Sequence, residues 1–201
     1  QDSRGYLWSG GYGGLSRFDG FHFDHYSPKN GLADHWVTSI AEDRNGILWI
    51  GTIRGLNRLD PQHETGAGRM NFTTYPLAKE LRGSRINHIF IDRDGYKWLA
   101  TNNGVCRFEE NSSLVYNYSS GLAGDSVNLT YQDKKGNIWI GTRNGLSLLT
   151  GNGFRNFTLK NHLRGNAITD LSEDDSGKLW IGTTEGLCVF NGTGFEKTFS
   201  L

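Results

Sequence analysis

One phrase recurs five times along the chain and leaves few folds open to it. It reads DSRGYLWSGGYGGL from Asp2, DRNGILWIGTIRGL from Asp43, DRDGYKWLATNNGV from Asp92, DKKGNIWIGTRNGL from Asp133 and DDSGKLWIGTTEGL from Asp174. Five of the six tryptophans therefore hold one structural position, at Trp8, Trp49, Trp98, Trp139 and Trp180, spaced 41, 49, 41 and 41 residues apart. A fixed period near forty residues is the length of one four-stranded propeller blade. In the second copy WVTSIAED, ILWIGT, GLNRLD and MNFTTY are short runs rich in β-branched and aromatic residues, bounded by glycine-containing turns. They predict four strands per repeat, A to D. The chain is expected to be all-β, a single β-propeller segment over 1–201 with about five four-stranded blades.

The recurring residues have scaffold roles in this reading. Between strands A and B stands Asp-x-x-Gly, where Asp43 can accept backbone N–H bonds and Gly46 can take the positive φ of a tight hairpin. Asp19-Gly20, Gly151-Asn152-Gly153 and Asn191-Gly192 supply hairpin chemistry between C and D. In Leu48-Trp49-Ile50 neighbouring side chains point to opposite faces, so strand B must be covered on both. Blades packed face to face provide that cover. A repeat tryptophan replaced by alanine is expected to cost about 3–5 kcal/mol as a buried aromatic.

The phase of the repeat predicts an incomplete first blade. Gln1-Asp2 matches Gln132-Asp133, where Gln132 ends a strand A, so the first copy lacks its own strand A while others begin at Val37, Ile86, Val127 and Ile168. The expectation is a piece of a longer array, although a self-closed five-bladed ring stays open. The exposed edge is expected to meet a partner chain or to be patched by the C-terminal FEKTFSL. Cys106 and Cys188 share one strand C position in separate blades and are expected to be reduced and buried as small apolar residues, with no disulfide. Asn-x-Ser/Thr triplets at Asn71, Asn111, Asn117, Asn128, Asn156 and Asn191 read as polar turns and outer strands.

Charge narrows the function classes. With 21 basic and 21 acidic residues the net charge is zero, which offers no basic footprint for nucleic acid or anionic lipid. No run approaches the roughly eighteen apolar residues of a membrane span, so no direct membrane insertion is expected of this segment. His22, His25, His35, His63, His88 and His162 share no metal-ligand spacing, and no serine or cysteine sits in a nucleophile motif. No metal or cofactor is expected.

The phrase GLxRxDG, followed by VxSIxEDxxGxLWIGTxxGL, resembles the two-component regulator propeller repeat. The likeness runs from Gln1 to about Phe199, with departures at Ser9-Gly10-Gly11 and at Leu99-Ala100 and Val105. Such repeats build periplasmic sensor regions of bacterial membrane receptors, including hybrid two-component systems of gut Bacteroidetes. The resemblance implies a periplasmic sensor ectodomain from a ring of usually about seven blades, followed in the whole receptor by an immunoglobulin-like module, a membrane helix and a histidine kinase. It also implies a polysaccharide fragment as ligand. The streptogramin-lyase-like propellers, which also carry Asp-x-x-Gly-x-x-Trp, are the nearest alternative.

Function is expected where the repeat leaves residues free to vary. Because strand direction alternates, the D-to-A connections and B-to-C turns emerge together on one rim. The rim candidates are Tyr12, Asp34, His35, Trp36, Arg54, Arg85, Asn102, Asn103, Arg143, Asn144, Asn166 and Glu185. Aromatic faces take the apolar side of a sugar, while arginine and asparagine bond hydroxyls or a carboxylate in fixed geometry. The sequence thus reads as a ligand-binding sensor segment, not an enzyme, for a small molecule or oligosaccharide. Two alternatives stand beside it. Asp34, Asp125 and Glu185 could serve a hydrolase or lyase as paired carboxylates. A plain interaction or dimerisation scaffold could use the insertion around Pro61 to Met70.

Overall fold

The protein's structure is a computed structural model that describes residues 1–61, 70–75, 77, 79–109, 112–161 and 163–200. The insertion at 62–69, His63, His162 and Asn111 lie outside the described residues. The predicted strands form five antiparallel sheets whose strand order follows the chain. The first has three strands, β1 (Leu7–Gly11), β2 (Gly14–Phe18) and β3 (Phe23–Tyr26). The second is β4 (Val37–Glu42), β5 (Leu48–Thr52), β6 (Gly55–Leu59) and β7 (Phe72–Tyr75). The third is β8 (Ile86–Ile91), β9 (Lys97–Thr101), β10 (Gly104–Glu109) and β11 (Ser112–Tyr116). The fourth is β12 (Val127–Gln132), β13 (Ile138–Thr142), β14 (Gly145–Thr150) and β15 (Gly153–Phe157). The fifth is β16 (Ile168–Glu173), β17 (Leu179–Thr183), β18 (Gly186–Phe190) and β19 (Phe195–Ser200). The sheets are blades of a β-propeller segment, and the first lacks the inner strand as the repeat phase predicts. The chain forms two compact units, Gln1–Lys97 and Trp98–Leu201, divided inside β9.

Each repeat letter has a physical reason. Asp43 Oδ1 accepts the amides of Asn45 and Ile47 (3.0 and 3.2 Å), and its Oδ2 accepts the indole N–H of Trp49 at 2.8 Å. The aspartate thus ties the A-to-B turn to the buried ring, a link the sequence reading did not foresee. The same indole bond, at 2.9 Å, joins Trp8 to Asp2, Trp139 to Asp133 and Trp180 to Asp174. Bonds from Trp180, Ser176 and Lys178 hold the Asp174 carboxyl well below its ordinary range. Burial pushes Asp2 upward, but bonds from Trp8, Tyr6 and Arg4 outweigh it and lower that carboxyl too. Gly46 closes the turn at φ 74°, where a side chain would be strained.

The glycine after the tryptophan sets how closely sheets approach. A Cβ on Gly51 would lie 2.7 Å from Ile86 Cγ2, and one on Gly141 would lie 2.8 Å from Ile168 Cγ2. Next comes the repeated threonine, whose hydroxyl donates to the carbonyl of the glycine three residues on. The distance is 2.8–2.9 Å at Thr52, Thr101, Thr142 and Thr183. This bond shapes the B-to-C turn and needs no particular side chain within it.

Face-to-face packing forms the core. In the first unit Leu15, Tyr26, Val37, Leu48, Ile50, Leu59 and Phe72 make one cluster, with Trp8 packed against it. In the second, Trp139, Leu146, Phe157, Leu179, Ile181 and Phe190 make another. Strands β5 and β13 are buried throughout, whereas β1 is mostly exposed because it has no inner strand. The described part of the C-terminal segment does not join the first sheet. Phe195–Ser200 pairs along β18 as the outer strand of its own sheet.

Candidate functional site

Two connections per sheet vary, and backbone bonds hold them side by side. The first residue of the B-to-C turn donates its N–H to the carbonyl just before strand A of the same sheet. The pairs are Ile53 to Trp36 (3.2 Å), Arg143 to Ser126 (2.9 Å) and Thr184 to Ala167 (3.1 Å). Each D-to-A connection is in turn anchored by a buried leucine, at Leu32, Leu81, Leu122 and Leu163. A strand C side chain fixes the residue after that leucine: Asn57 Oδ1 accepts the Ala33 amide at 2.7 Å and Ser147 Oγ accepts the Ala123 amide at 3.0 Å. Cys188 occupies this place in the fifth sheet, with Sγ 3.0 Å from the Arg164 amide. Cys106 and Cys188 are buried as expected, and neither is in a disulfide. Cys188 is nonetheless an acceptor and not only a small apolar residue, a correction that strand register makes visible. Burial pushes its thiol pKa up.

In the first unit the candidates gather around Trp36. The Tyr12 ring, from the first sheet, stacks on Trp36 at 4.1 Å between centroids with 26° between planes. The Arg85 guanidinium, leading into the third sheet, lies 4.9 Å from the Trp36 ring centre. Variable positions of three successive repeats thus make one Tyr–Trp–Arg column. Tyr12 is 75% exposed, Arg85 is exposed and Trp36 is half-buried, so the column presents aromatic and cationic surface to solvent. Asp34 holds it in place: Oδ1 accepts the Trp36 amide at 3.0 Å, and Oδ2 lies 3.3 Å from Arg54 Nε. Arg54 remains largely exposed outside that pair.

His35 stands free of a loop-closing duty that its counterparts perform. At the same position in the fourth and fifth sheets, Asp125 Oδ1 accepts the Tyr118 amide at 2.7 Å and Asn166 Oδ1 accepts the Leu159 amide at 3.0 Å. The residue equivalent to Tyr118 and Leu159 in the second sheet is Pro28, which has no N–H to cap. His35 is accordingly exposed.

The second unit presents Asn102, Asn103, Arg143, Asn144 and Glu185 as exposed turn side chains. Asn144 packs against Gly124, where a Cβ would lie 3.0 Å from Asn144 Cβ; Glu185 packs against Gly165 in the same way, also at 3.0 Å. Asn166 is half-buried and spends its carbonyl oxygen on loop closure. Of the three acids considered for catalysis, Asp34 is paired with Arg54 and Asp125 is bonded to a backbone amide, while the Glu185 carboxylate has no such partner among the described residues. Among the described residues no three of His, Cys, Asp and Glu are grouped to hold a metal. A cavity of about 110 Å³ does exist in this unit, but it lies between the fourth and fifth sheets beside the A-to-B and C-to-D turns, away from these residues.

Comparison with known proteins places the fold. The sequence profile described as two component regulator propeller matches residues 31–54, 121–144 and 162–185. The chain is similar to the extracellular domain of a hybrid two component system from B. thetaiotaomicron, at 27% identity and a TM-score of 0.81, over 96% of this chain and 27% of that one. The extracellular domain of a one component system from the same organism is similar at 24% identity and a TM-score of 0.82, over 100% of this chain and 30% of that one. Virginiamycin B lyase from Staphylococcus aureus shares the fold at 15% identity and a TM-score of 0.72, over 100% of this chain and 68% of the lyase. The chain thus spans less than a third of either B. thetaiotaomicron domain. No curated protein matches it.

Proposed function

The chain carries the repeats of the two component regulator propeller family, and on that premise we propose that it is a ligand-sensing, periplasmic segment of a bacterial two component receptor. The observation that carries this reading is the solvent-facing Tyr12–Trp36–Arg85 column, built from positions the repeat leaves free. The ligand is a polar molecule with a flat apolar side, such as an oligosaccharide. A sugar ring lays its C–H face on Tyr12, while Arg54, Arg85 and His35 bond its hydroxyls or a carboxylate. Asp34 is a positioning residue, since its oxygens reach the Trp36 amide and Arg54. Binding, and not bond-breaking, is the role that suits connections whose acids, Asp34 in one unit and Asp125 in the other, are already engaged. In the receptor, a ligand with different affinity for two arrangements shifts their populations, and a kinase elsewhere reads the shift.

Calorimetric titration of the 201-residue chain with a panel of neutral and acidic oligosaccharides tests the proposal. Saturable binding is expected, weakened about tenfold in Tyr12→Ala, because a stacking contact contributes about 0.5–1.5 kcal/mol beyond its area. Trp36→Ala, with its melting temperature checked, is expected to lose more. Folded protein that binds no glycan, or binds one equally well without Tyr12 and Trp36, removes the column as the site. Sugar cleavage seen by product analysis would replace sensing with catalysis.

A further inference from the structure

The cross-strand partner of the repeat tryptophan changes in the fourth sheet, and in the fifth it is again apolar, Val189 opposite Trp180. Trp8 is paired with Arg17 and Trp49 with Arg58, and in the third sheet the Arg107 guanidinium lies 6.0 Å from the Trp98 ring centre. Trp139 is paired instead with Leu148, and the arginine has moved one strand outward to Arg155, opposite Leu148. Leucine is shorter than arginine and brings no cation to the Trp139 ring. The cavity of about 110 Å³ lies there, walled by Trp139, Leu148, Leu179 and Phe190 and edged by Lys135 and Arg155. On the measure in which one water needs about 10–15 Å³, it admits a group of several heavy atoms.

Its carboxylates are committed to the scaffold. Asp133 Oδ1 accepts the amides of Lys135 and Asn137, and Oδ2 accepts the Asn137 and Trp139 side chains, all within 3.0 Å. Glu173 Oε2 accepts the Lys134 amide at 2.5 Å. Its cations are not so committed. Among the described residues neither Lys135 nor Arg155 has an ion-pair partner, and the Arg155 guanidinium lies over the Phe157 ring at 4.9 Å. Cations elsewhere in the sheets do have acid partners: Arg17 with Asp24 at 2.8 Å, Lys97 with Asp43 at 3.8 Å and Lys178 with Glu196 at 2.7 Å. At the lip stand Gly177 and Gly192, which bring no side chain into the opening.

We propose that this cavity binds a small carboxylate with a flat apolar body, the body against Trp139 and Phe190 and the carboxylate between Arg155 and Lys135. A planar guanidinium matches a carboxylate in fork geometry, and the ammonium adds a second positive charge. The site is independent of the Tyr12–Trp36–Arg85 column, which belongs to the other unit.

Benzoate is the probe, with benzamide as its neutral counterpart and the Trp139 indole N–H resonance of the 201-residue chain as the readout. A saturable shift with benzoate is expected, at least tenfold weaker with benzamide and in Arg155→Gln or Lys135→Gln, whose side chains are exposed. Leu148→Arg puts a longer side chain into the cavity wall and is expected to abolish binding with the melting temperature retained. The proposal is overturned by the absence of a saturable shift, by benzamide binding as well as benzoate, by unchanged affinity in both charge variants, or by binding in folded Leu148→Arg.

Discussion

Removing the Asp43 carboxylate is expected to cost more than any single bond it makes, because it serves a turn and a buried ring together. Asp43→Ala leaves the indole N–H of Trp49, a residue 3% exposed, without its acceptor, along with the amides of Asn45 and buried Ile47. An orphaned buried donor costs about 1–3 kcal/mol, and a bond to a charged group contributes about 1.5–3 kcal/mol. Because the exposed Asn45 amide can turn to water, the expected total is about 3–5 kcal/mol. Trp49→Phe keeps most of the aromatic packing and removes one bond, for about 2–3 kcal/mol. If the indole bond is the coupling between them, the double variant recovers about 1–2 kcal/mol relative to the sum. Lys97, 3.8 Å from the carboxylate and 5.2 Å from the Trp49 ring centre, is present in all four proteins and cancels in the cycle to first order. Urea unfolding followed by far-ultraviolet circular dichroism measures it without relying on tryptophan emission. Costs that add to within about 0.3 kcal/mol would refute the bridge and leave aspartate and tryptophan as separate scaffold elements.

Three further outcomes follow from the same geometry. The Asp174 carboxyl lies below its ordinary value of 3.8 in the folded state, so its contribution to stability is complete above that value and is lost as the pH falls below it. Between pH 5 and pH 2 the urea midpoint of Asp174→Asn should therefore fall less than that of the parent chain; parallel curves would mean that this group does not report folding. Gly51→Ala places a Cβ 2.7 Å from Ile86 Cγ2 and 3.3 Å from Ile89 Cδ1. Overpacking is expected to cost about 1–3 kcal/mol, and in thermal melts the cost should be smaller when Gly51→Ala is measured in an Ile86→Ala background, which lacks the Cγ2 it meets. Cys188→Ser keeps an acceptor for the Arg164 amide and should lie within about 1 kcal/mol of the parent, whereas Cys188→Ala should lose about 1–2 kcal/mol more. In the parent chain, burial should make Cys188 react with a thiol reagent only at the rate of unfolding.

The architecture was legible because the repeat encodes short-range rules. Tight turns need Asp-x-x-Gly, and a strand covered on both faces needs an unbroken apolar run such as Leu48-Trp49-Ile50, so spacing alone locates four strands per repeat and the absent inner strand of the first sheet. The fate of FEKTFSL was less legible. Its two phenylalanines suit any sheet edge, and pairing with β18, not local propensity, selects the edge that Phe195–Ser200 takes. The Cys188 reading missed a hydrogen bond because the amide it meets comes from a connection 24 residues away.

The candidate site was legible only as a set of names. Variation marked Tyr12, Trp36 and Arg85 as free of scaffold duty, and Trp36 stood out as the tryptophan outside the repeat. Their stacking depends on the separation of three successive strand pairs, a distance that no single repeat contains. The exposure of His35 has a local cause in Pro28, yet its meaning emerges only beside Asp125 and Asn166, whose side chains close the same connection in other sheets.

The sequence by itself determined the blade, because turn chemistry and apolar periodicity act within a few residues and repeat with fixed spacing. Tertiary structure alone decided which side chains from different blades meet. Those contacts produced the aromatic column around Trp36 and the cavity beside Trp139, walled by the fourth and fifth sheets. Both arise where neighbouring sheets face each other, and the distance between sheets is set by packing, not by the order of residues along either one.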